Sequence, residues 1–394
     1  MQVVYDLAMS HPITPFEIAV DETVLADLHE RLERTRWPEA ETVNDWSQGI
    51  PSAYLREVCE YWVSSYDWRV REAGLNRFPQ FHTTLSGDGD EPLDIHFLHV
   101  RSPEATALPL ILTHGWPGST VEFMKVIGPL TDPVAHGGEA TDAFHVVAPS
   151  LPGFGFSAKP ARAGWGVGRI ATAWDELMVR LGYEQFVAQG GDWGSLITTM
   201  IGDQNLGHCA GIHVNMPVAF PAPDQLGDLT EEEMGFLGRL QAYQAQESGY
   251  STQQSTRPQT LGYGLADSPS GQAGWVLEKF WAWTDNNGHP EDAVSRDELL
   301  DNVMFYWLNN AAASSGRLYW ESFAEFSAGV PTVSMPAGIS QFKNEIFAAS
   351  RRWADRVYTD IRHWNQLDRG GHFAAFEEPD LFVDEVRASF RHVR

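Results

Sequence analysis

A glycine-rich turn in the middle of the chain carries the strongest candidate nucleophile. Residues 190–195 read Gly-Gly-Asp-Trp-Gly-Ser, after an apolar run and before a segment with apolar residues at helical spacing. The pattern Gly-x-nucleophile-x-Gly is typical of a strand-to-helix elbow, whose sharp turn requires glycine. Asp192 holds the nucleophile position, because Ser195 comes too late in the motif. A carboxylate attacks saturated carbon and forms an ester that water can cleave, whereas the alternative is a plain turn with a helix-capping Asp.

A histidine near the C-terminus is the candidate base. His372 lies in Gly-Gly-His-Phe at 370–373, after a late strand pattern and before the last helix. The α/β-hydrolase order is nucleophile, then acid, then histidine, and it places the base at this point of the chain. The chain has 14 histidines, so the position and not the residue type carries this prediction.

Cleavage of an aspartyl ester also needs donors for the negative charge that develops on oxygen. Residues 114–118 read His-Gly-Trp-Pro-Gly and directly follow the apolar run 108–113. The backbone N–H groups of Trp116 and Trp193 are the candidate oxyanion-hole donors. Pro117 restricts this loop, and a cis peptide bond before it would suit the turn.

Short apolar runs alternate with helical patterns from residue 108 to about residue 217. This alternation predicts a mostly parallel sheet covered by helices on both faces, so the fold class is α/β. The expected strands are 108–113, 144–148, 185–189 and 211–214, and the expected helices are about 121–130, 170–181 and 193–201.

The pattern differs on either side of this region. Helical spacing begins at Asp21 and recurs around 55–62, and a strand is expected at 93–100. Residues 221–328 are rich in helical patterns, Trp and Tyr without clear strands, which indicates a helical insertion that covers a site. The alternation then resumes with expected strands at 330–333 and 357–364 and a closing helix at 379–391.

The composition excludes several classes of function. The chain has 27 Lys and Arg against 53 Asp and Glu, a formal net charge of −26, so it would repel nucleic acids and anionic membranes. Cys59 and Cys209 are the only cysteines, which argues against a disulfide framework or a zinc site. Residues 1–20 lack the pattern of a signal peptide or membrane span, so we expect a cytoplasmic protein. Attack by a carboxylate and hydrolysis of its ester need no metal or organic cofactor, so we expect none. A homodimer stays open.

Several segments together resemble the motifs of one enzyme family. They are Thr-Arg-Trp-Pro at 35–38, Tyr-Asp-Trp-Arg at 66–69, His-Gly-Trp-Pro-Gly at 114–118, Pro-Ser-Leu-Pro-Gly-Phe-Gly-Phe-Ser at 149–157 and Arg-Gly-Gly-His-Phe at 369–373. Through them nearly the whole chain resembles an epoxide hydrolase of the α/β-hydrolase fold, microsomal type, as a bacterial soluble relative. The resemblance implies an N-terminal epoxide-hydrolase-type domain at 1–105, an α/β-hydrolase core at 106–218 and 329–394, and a helical lid at 219–328.

The resemblance also implies two lid tyrosines that hold the epoxide oxygen. Tyr319, in Gly-Arg-Leu-Tyr-Trp, and Tyr250, in Glu-Ser-Gly-Tyr, match these positions. A phenol with a pKa of about 10 stays protonated at neutral pH and can donate to a developing alkoxide. Tyr243, Tyr263 and Tyr306 are rival donors.

The relay acid of the family precedes its histidine by a loop, a helix and a strand. Glu345, in Phe-Lys-Asn-Glu-Ile, matches that position, although Lys343 replaces the proline that the family usually has there. Asp355 and Asp360 are the alternatives.

The expected reaction is the hydrolysis of an epoxide to a vicinal diol through an ester on Asp192, with His372 and Glu345 activating water. The aromatic lid favours a bulky or aromatic epoxide, and a secondary-metabolite epoxide, as in antibiotic biosynthesis, is one candidate. One alternative is a haloalkane dehalogenase, in which Trp193 would hold the leaving halide. The other is a hydrolase-fold binding protein that has lost turnover.

Overall fold

The computed structural model describes residues 11–323, 325 and 329–394. Its strands are β1 (Thr14–Phe16), β2 (Gln80–Leu85), β3 (Leu93–Val100), β4 (Leu108–Thr113), β5 (Phe144–Pro149), β6 (Phe186–Gly190), β7 (Cys209–Val214), β8 (Val333–Gln341) and β9 (Tyr358–Gln366). Its helices are α1 (Glu22–Glu33), α2 (Ser52–Ser64), α3 (Trp68–Leu75), α4 (Ile127–Thr131), α5 (Val167–Arg180), α6 (Trp193–Gln204), α7 (Glu231–Gln246), α8 (Gly249–Thr256), α9 (Pro258–Asp267), α10 (Pro269–Trp283), α11 (Arg296–Trp307), α12 (Ala312–Ser322), α13 (Arg351–Ala354), α14 (Ala374–Glu377) and α15 (Pro379–Phe390).

One sheet joins all of these strands, in the order β1-β2-β3-β5-β4-β6-β7-β8-β9. The pairings from β5 to β9 are parallel, whereas β1, β2 and β3 add to the β5 edge in antiparallel fashion. A mostly parallel sheet flanked by helices confirms the predicted α/β class. Because β4 and β6 are parallel neighbours, the loops that follow them lie at the same edge of the sheet.

Strand β8 is longer than the sequence predicts. The expected strand at 330–333 begins only at Val333 and continues to Gln341. Residue propensities do not predict a strand here, because Pro336 and Gly338 are of types that are depleted in sheets. The register with β9 shifts between Val333 and Pro336, and this irregularity accommodates the proline inside the sheet.

The helix expected at about 121–130 is interrupted. The structure has a 3-10 turn at Thr120–Phe123 and then the short helix α4. Pro129 lies in the first turn of α4, where its missing N–H costs nothing, but it would break a helix running through from residue 121. The interruption leaves the 3-10 turn close to the loop 114–118.

The N-terminal region contributes strands as well as helices. β1 and β2 were not predicted, because β1 is short and β2 includes polar His82, Thr83 and Thr84. Helix α1 is capped by the Asp21 side chain and buries Leu28. The divisions after residues 105, 218 and 328 stay a proposal, and residues 1–10, 324 and 326–328 of those segments lie outside the described part of the chain.

Among the described residues between β7 and β8, the insertion contains the six α-helices α7 to α12. Two capping boxes start α7 and α11, with Thr230 and Ser295 as the N-caps. In the described part of the chain, every helix is too short or too polar to span a lipid bilayer.

Candidate active site

Asp192 lies in the tight turn between β6 and α6. Its backbone has φ 51° and ψ −129°, a conformation that costs a residue other than glycine about 1–3 kcal/mol. A Cβ on Gly190 would overlap the carbonyl of Gly194, and a Cβ on Gly194 would overlap that of Thr113. Glycine therefore stands where the turn has no room for a side chain, and the turn presents the Asp192 carboxylate at the edge of the sheet.

The loop between β9 and α14 brings His372 to this carboxylate. Nε2 of His372 lies 3.2 Å from Oδ2 of Asp192, close enough for charge attraction although outside hydrogen-bond geometry. Nδ1 of His372 lies 2.6 Å from Oε1 of Glu345, in hydrogen-bond contact. The backbone N–H of His372 donates to the carbonyl of Trp283, the last residue of α10, at 2.9 Å. Core and lid together therefore hold the imidazole.

Two carboxylates determine the charge of His372. Burial alone would favour the neutral imidazole, but Glu345 and Asp192 outweigh burial and hold the pKa of His372 well above its usual value. The imidazole is therefore protonated at neutral pH.

The three candidate relay acids lie in different surroundings. Glu345 is 2% exposed and contacts His372. Asp355 and Asp360 each form an ion pair with a neighbouring arginine at the surface. Of the three, the structure brings Glu345 to the histidine and leaves the two aspartates away from it.

The loop 114–118 approaches the same carboxylate from the end of β4. Its Trp116–Pro117 peptide bond is cis. The backbone N–H of Trp116 donates to Oδ1 of Asp192 at 2.7 Å. Trp193 directly follows Asp192 and is the first residue of α6.

Helix α11 of the lid braces this loop. The side-chain amide of Asn302 donates to the carbonyl of Pro117 and accepts from the hydroxyl of Ser119, both at 2.7 Å. The hydroxyl of Tyr306 donates to the carbonyl of Gly118, also at 2.7 Å. These bonds satisfy buried polar groups and fix the loop that carries the Trp116 N–H.

The N-terminal helices in turn support α11. Asp301, next to Asn302, accepts a hydrogen bond from the Tyr66 hydroxyl at 2.7 Å and forms an ion pair with Arg71 at 2.5 Å. The first hundred residues are thus connected to the site through one lid helix.

Tyr250 and Tyr319 approach the site from α8 and α12. Both are buried, and both line a cavity that reaches Asp192. Their ring centroids lie 5.8 Å apart, and each ring packs against Trp116, at 4.9 Å for Tyr250 and 5.9 Å for Tyr319. Burial first, and nearby groups including Asp192, hold the pKa of both phenols well above the usual value, so both stay protonated.

The rival tyrosines differ in their access to this cavity. Tyr243 lines it, and its hydroxyl lies 2.8 Å from that of Tyr250. Tyr263 is 71% exposed. The hydroxyl of Tyr306 already donates its hydrogen bond to the carbonyl of Gly118. Tyr243 is therefore the one rival that the structure brings to the other two tyrosines.

We call the cavity shared by these tyrosines and Asp192 the substrate cavity. Its volume is about 670 Å³, within the range of roughly 300–1,000 Å³ that is usual for small-molecule sites. Its lining is mainly apolar, and Asp192 and Arg356 are its charged members. The apolar lining comes from α6, α7 and α13, from the segments that follow β7 and β8, and from the segment around Val330. It includes Leu196, Met216, Val218, Leu240, Ile346, Phe347 and Trp353.

Glu122 is a site-lining residue that sequence analysis does not single out. It follows the loop 114–118 in the 3-10 turn, and burial, with a contribution from Asp192, raises its pKa to about 8 although His372 opposes the shift. A Cβ on Gly118 would overlap its carboxylate, so Gly118 makes room for it. Acidic residues are common in the first turn of a helix, and no sequence motif distinguishes Glu122 from such a residue.

Comparison with known proteins identifies two family regions. The family described as "Epoxide hydrolase N terminus" matches residues 13–123, and the one described as "alpha/beta hydrolase fold" matches residues 109–248. The second match includes the elbow and strands β5 to β7, and it places the chain in the α/β-hydrolase class.

Whole-chain relatives narrow this class. A protein of Stigmatella aurantiaca with the name "Putative epoxide hydrolase" is 56% identical over 97% of this chain and 86% of its own length. "Epoxide hydrolase 1" of Sus scrofa is 36% identical, with 96% of this chain and 89% of the relative covered. The crystal structure of juvenile hormone epoxide hydrolase from Bombyx mori superimposes with a TM-score of 0.88 at 30% identity, covering 98% and 95% of the two chains. The chain belongs to the epoxide hydrolase family.

Proposed function

We propose that this enzyme converts a bulky, mainly apolar epoxide into a vicinal diol through a covalent ester on Asp192. The observation that carries the proposal is the position of the Asp192 carboxylate. It lies between a cavity with two protonated tyrosines and a histidine that is paired with a second carboxylate. The first arrangement suits ring opening, and the second suits hydrolysis of the resulting ester.

Ring opening is the first step. Because the N–H of Trp116 holds Oδ1 of Asp192, we expect Oδ2 to attack an epoxide carbon. The carbon–oxygen bond of the ring breaks, its electron pair passes to the epoxide oxygen, and Tyr250 or Tyr319 supplies the proton to that oxygen. Their raised pKa values keep both tyrosines protonated until the alkoxide develops.

Formation of the ester prepares His372 to act as a base. The ester removes the Asp192 charge, one of the two charges that raise the pKa of His372, so this pKa falls. The proton released by His372 restores the ionised tyrosine. The charges therefore balance, and the imidazole becomes neutral when a base is required.

Hydrolysis is the second step. His372, oriented by Glu345, takes a proton from water, and the hydroxide attacks Cγ of Asp192. Charge develops on Oδ1, where the N–H groups of Trp116 and Trp193 are the expected donors. The carbon–oxygen ester bond then breaks and leaves Asp192 as a carboxylic acid. Its proton passes to the departing diol oxygen, so Asp192 returns as a carboxylate beside protonated His372.

The size and apolar lining of the substrate cavity support a bulky epoxide, including an aromatic or secondary-metabolite one. The cytoplasmic location and the homodimer stay predictions from the sequence.

Two measurements test the ester. In a single turnover in water enriched in ¹⁸O, the label should enter the Asp192 carboxylate and be absent from the diol. The variant His372→Gln should accumulate a protein adduct with the mass of one substrate molecule, measured with styrene oxide, while Asp192→Ala should form none. Label that appears directly in the first diol would contradict the ester route. Halide release from a chloroalkane without diol formation from styrene oxide would favour a dehalogenase.

A further inference from the structure

A second, smaller cavity also reaches Asp192. We call it the water cavity. Its volume is about 20 Å³, and Asp192 is the one lining residue that it shares with the substrate cavity. A buried water needs roughly 10–15 Å³ and two to four polar partners. The cavity therefore has the size of a site for one water, and its polar lining consists of Thr113, His114, Glu122, Gln189, Asn215 and His372 as well as Asp192.

Three polar atoms of this lining lack a hydrogen-bond partner among the residues that the structure describes. They are Oγ1 of Thr113, Oε1 of Gln189 and Nε2 of His372, the last of which keeps its ion-pair contact with Oδ2 of Asp192 at 3.2 Å. Buried polar atoms are nearly always satisfied by protein or by ordered water. Because all three atoms belong to residues that line a cavity of this size, water is the expected partner.

Glu122 brings a carboxyl group to the same cavity. It is half-buried, and it lies within electrostatic reach of both Asp192 and His372. Because its pKa is about 8, the carboxyl is mainly neutral at pH 7 and can both donate and accept a hydrogen bond. A neutral group also avoids placing another negative charge beside the oxyanion that forms on Asp192 during hydrolysis.

We propose that Glu122, assisted by Thr113 and Gln189, is a positioning residue that holds the hydrolytic water between His372 and Cγ of Asp192. This inference rests on the proposed ester mechanism. In the hydrolysis step Glu122 keeps its proton and contributes one hydrogen bond. His372 takes one proton of the water, and the remaining hydroxide forms the new bond to Cγ.

Because the water cavity and the substrate cavity meet at one residue, water can occupy its position while the substrate occupies its own. Loss of Glu122 should therefore affect ester hydrolysis and leave ester formation unchanged. A defect in folding or in the position of Asp192 would slow both steps, so the two steps separate the positioning role from a structural one.

Rapid-quench mass spectrometry with styrene oxide provides the test. Glu122→Met, which keeps the length of the side chain and removes its hydrogen bonds, should slow ester hydrolysis by about 10–100-fold and cause the adduct to accumulate. kcat and KM should fall by the same factor, so that kcat/KM is unchanged. Glu122→Gln stays neutral and hydrogen-bonding, and it should retain hydrolysis within about threefold of the original rate.

A matched pair of threonines provides the control. Thr113→Val removes an unpartnered hydroxyl from the water cavity and should slow hydrolysis by a few-fold. Thr198→Val removes a hydroxyl that is equally buried and unpartnered but does not line this cavity, and it should leave both rates unchanged. Equal effects of the two threonine variants would overturn the inference.

The variants of Glu122 and His372 separate the two proposals. If His372→Gln accumulates the adduct but Glu122→Met does not, the inference about Glu122 is wrong and the ester mechanism stands. If neither variant nor the original enzyme forms an adduct, the ester mechanism fails, and the inference fails with it.

Discussion

The substrate cavity and the water cavity adjoin the same carboxylate but differ in size and chemistry. The first is about 670 Å³ and mainly apolar, whereas the second is about 20 Å³ and rich in polar atoms. The first contains phenols that can protonate an alkoxide, and the second contains the imidazole that can deprotonate water. Under the proposed ester mechanism, two half-reactions with opposite proton demands would be separated in space, with Asp192 as the one lining residue common to both cavities.

The largest effect is expected from the removal of Asp192, which lines both cavities. Asp192→Ala eliminates both half-reactions, because the nucleophile is absent and no ester can form. kcat should fall by about 10⁴-fold or more. Diol production from styrene oxide measures the loss. Unchanged circular dichroism would serve as the control for folding, and activity within tenfold of the original would refute the assignment.

Glu345→Gln should impair ester hydrolysis and lower kcat by about 10³-fold, because it disturbs the orientation and tautomer of His372. Glu345 raises the pKa of His372, so its removal lowers that pKa. Since hydrolysis needs the neutral imidazole, the acid limb of the hydrolysis rate should shift to lower pH. Adduct decay measured against pH checks the direction.

Asp355→Asn and Asp360→Asn are the matched controls for Glu345. Both carboxylates pair with arginines at the surface, so each variant should keep nearly full activity. A greater loss in either of them than in Glu345→Gln would reassign the relay acid.

Substitution of the two phenols should affect only the formation of the ester. Tyr319→Phe and Tyr250→Phe each remove a donor to the developing alkoxide, so kcat/KM should fall by about 10²-fold without accumulation of the ester. Tyr263→Phe, on an exposed tyrosine, is the control and should be silent. Accumulation of the adduct in Tyr319→Phe would mean that the phenol acts in hydrolysis.

The smallest expected effect concerns stability. Tyr306→Phe leaves the buried carbonyl of Gly118 without its donor and should lower the free energy of unfolding by about 1–3 kcal/mol. Urea denaturation measures this change. An unchanged transition midpoint would show that the hydrogen bond contributes nothing to stability.

The sequence predicted those parts of the fold and site that depend on local rules. The turn around Asp192 requires glycine at specific positions, and alternating apolar runs define strands such as β4 and β5. These features can be read because their cause lies within a few adjacent residues. The resemblance to a family then supplied Tyr250, Tyr319 and Glu345, which local rules alone do not mark.

Features that depend on distant contacts were missed. Strand β8 contains Pro336 and is a strand because β7 and β9 pair with it on both sides. The role proposed for Glu122 depends on its proximity to Asp192 and His372, which are distant in the sequence. The hydrogen bond between Tyr243 and Tyr250 depends on how two lid helices meet. A single sequence contains no local signal for such contacts.

The lid has two parts with different attachments. Helices α10 and α11 bond to the loops that carry His372 and Trp116, whereas α7 and α8 line the substrate cavity. An engineer who grafts lid segments from a relative to change substrate scope should therefore exchange α7 and retain α8, α10, α11 and α12, because α8 and α12 carry Tyr250 and Tyr319. Substrate scope and turnover could then diverge independently, because the segments that select the substrate are not the segments that align the reacting groups.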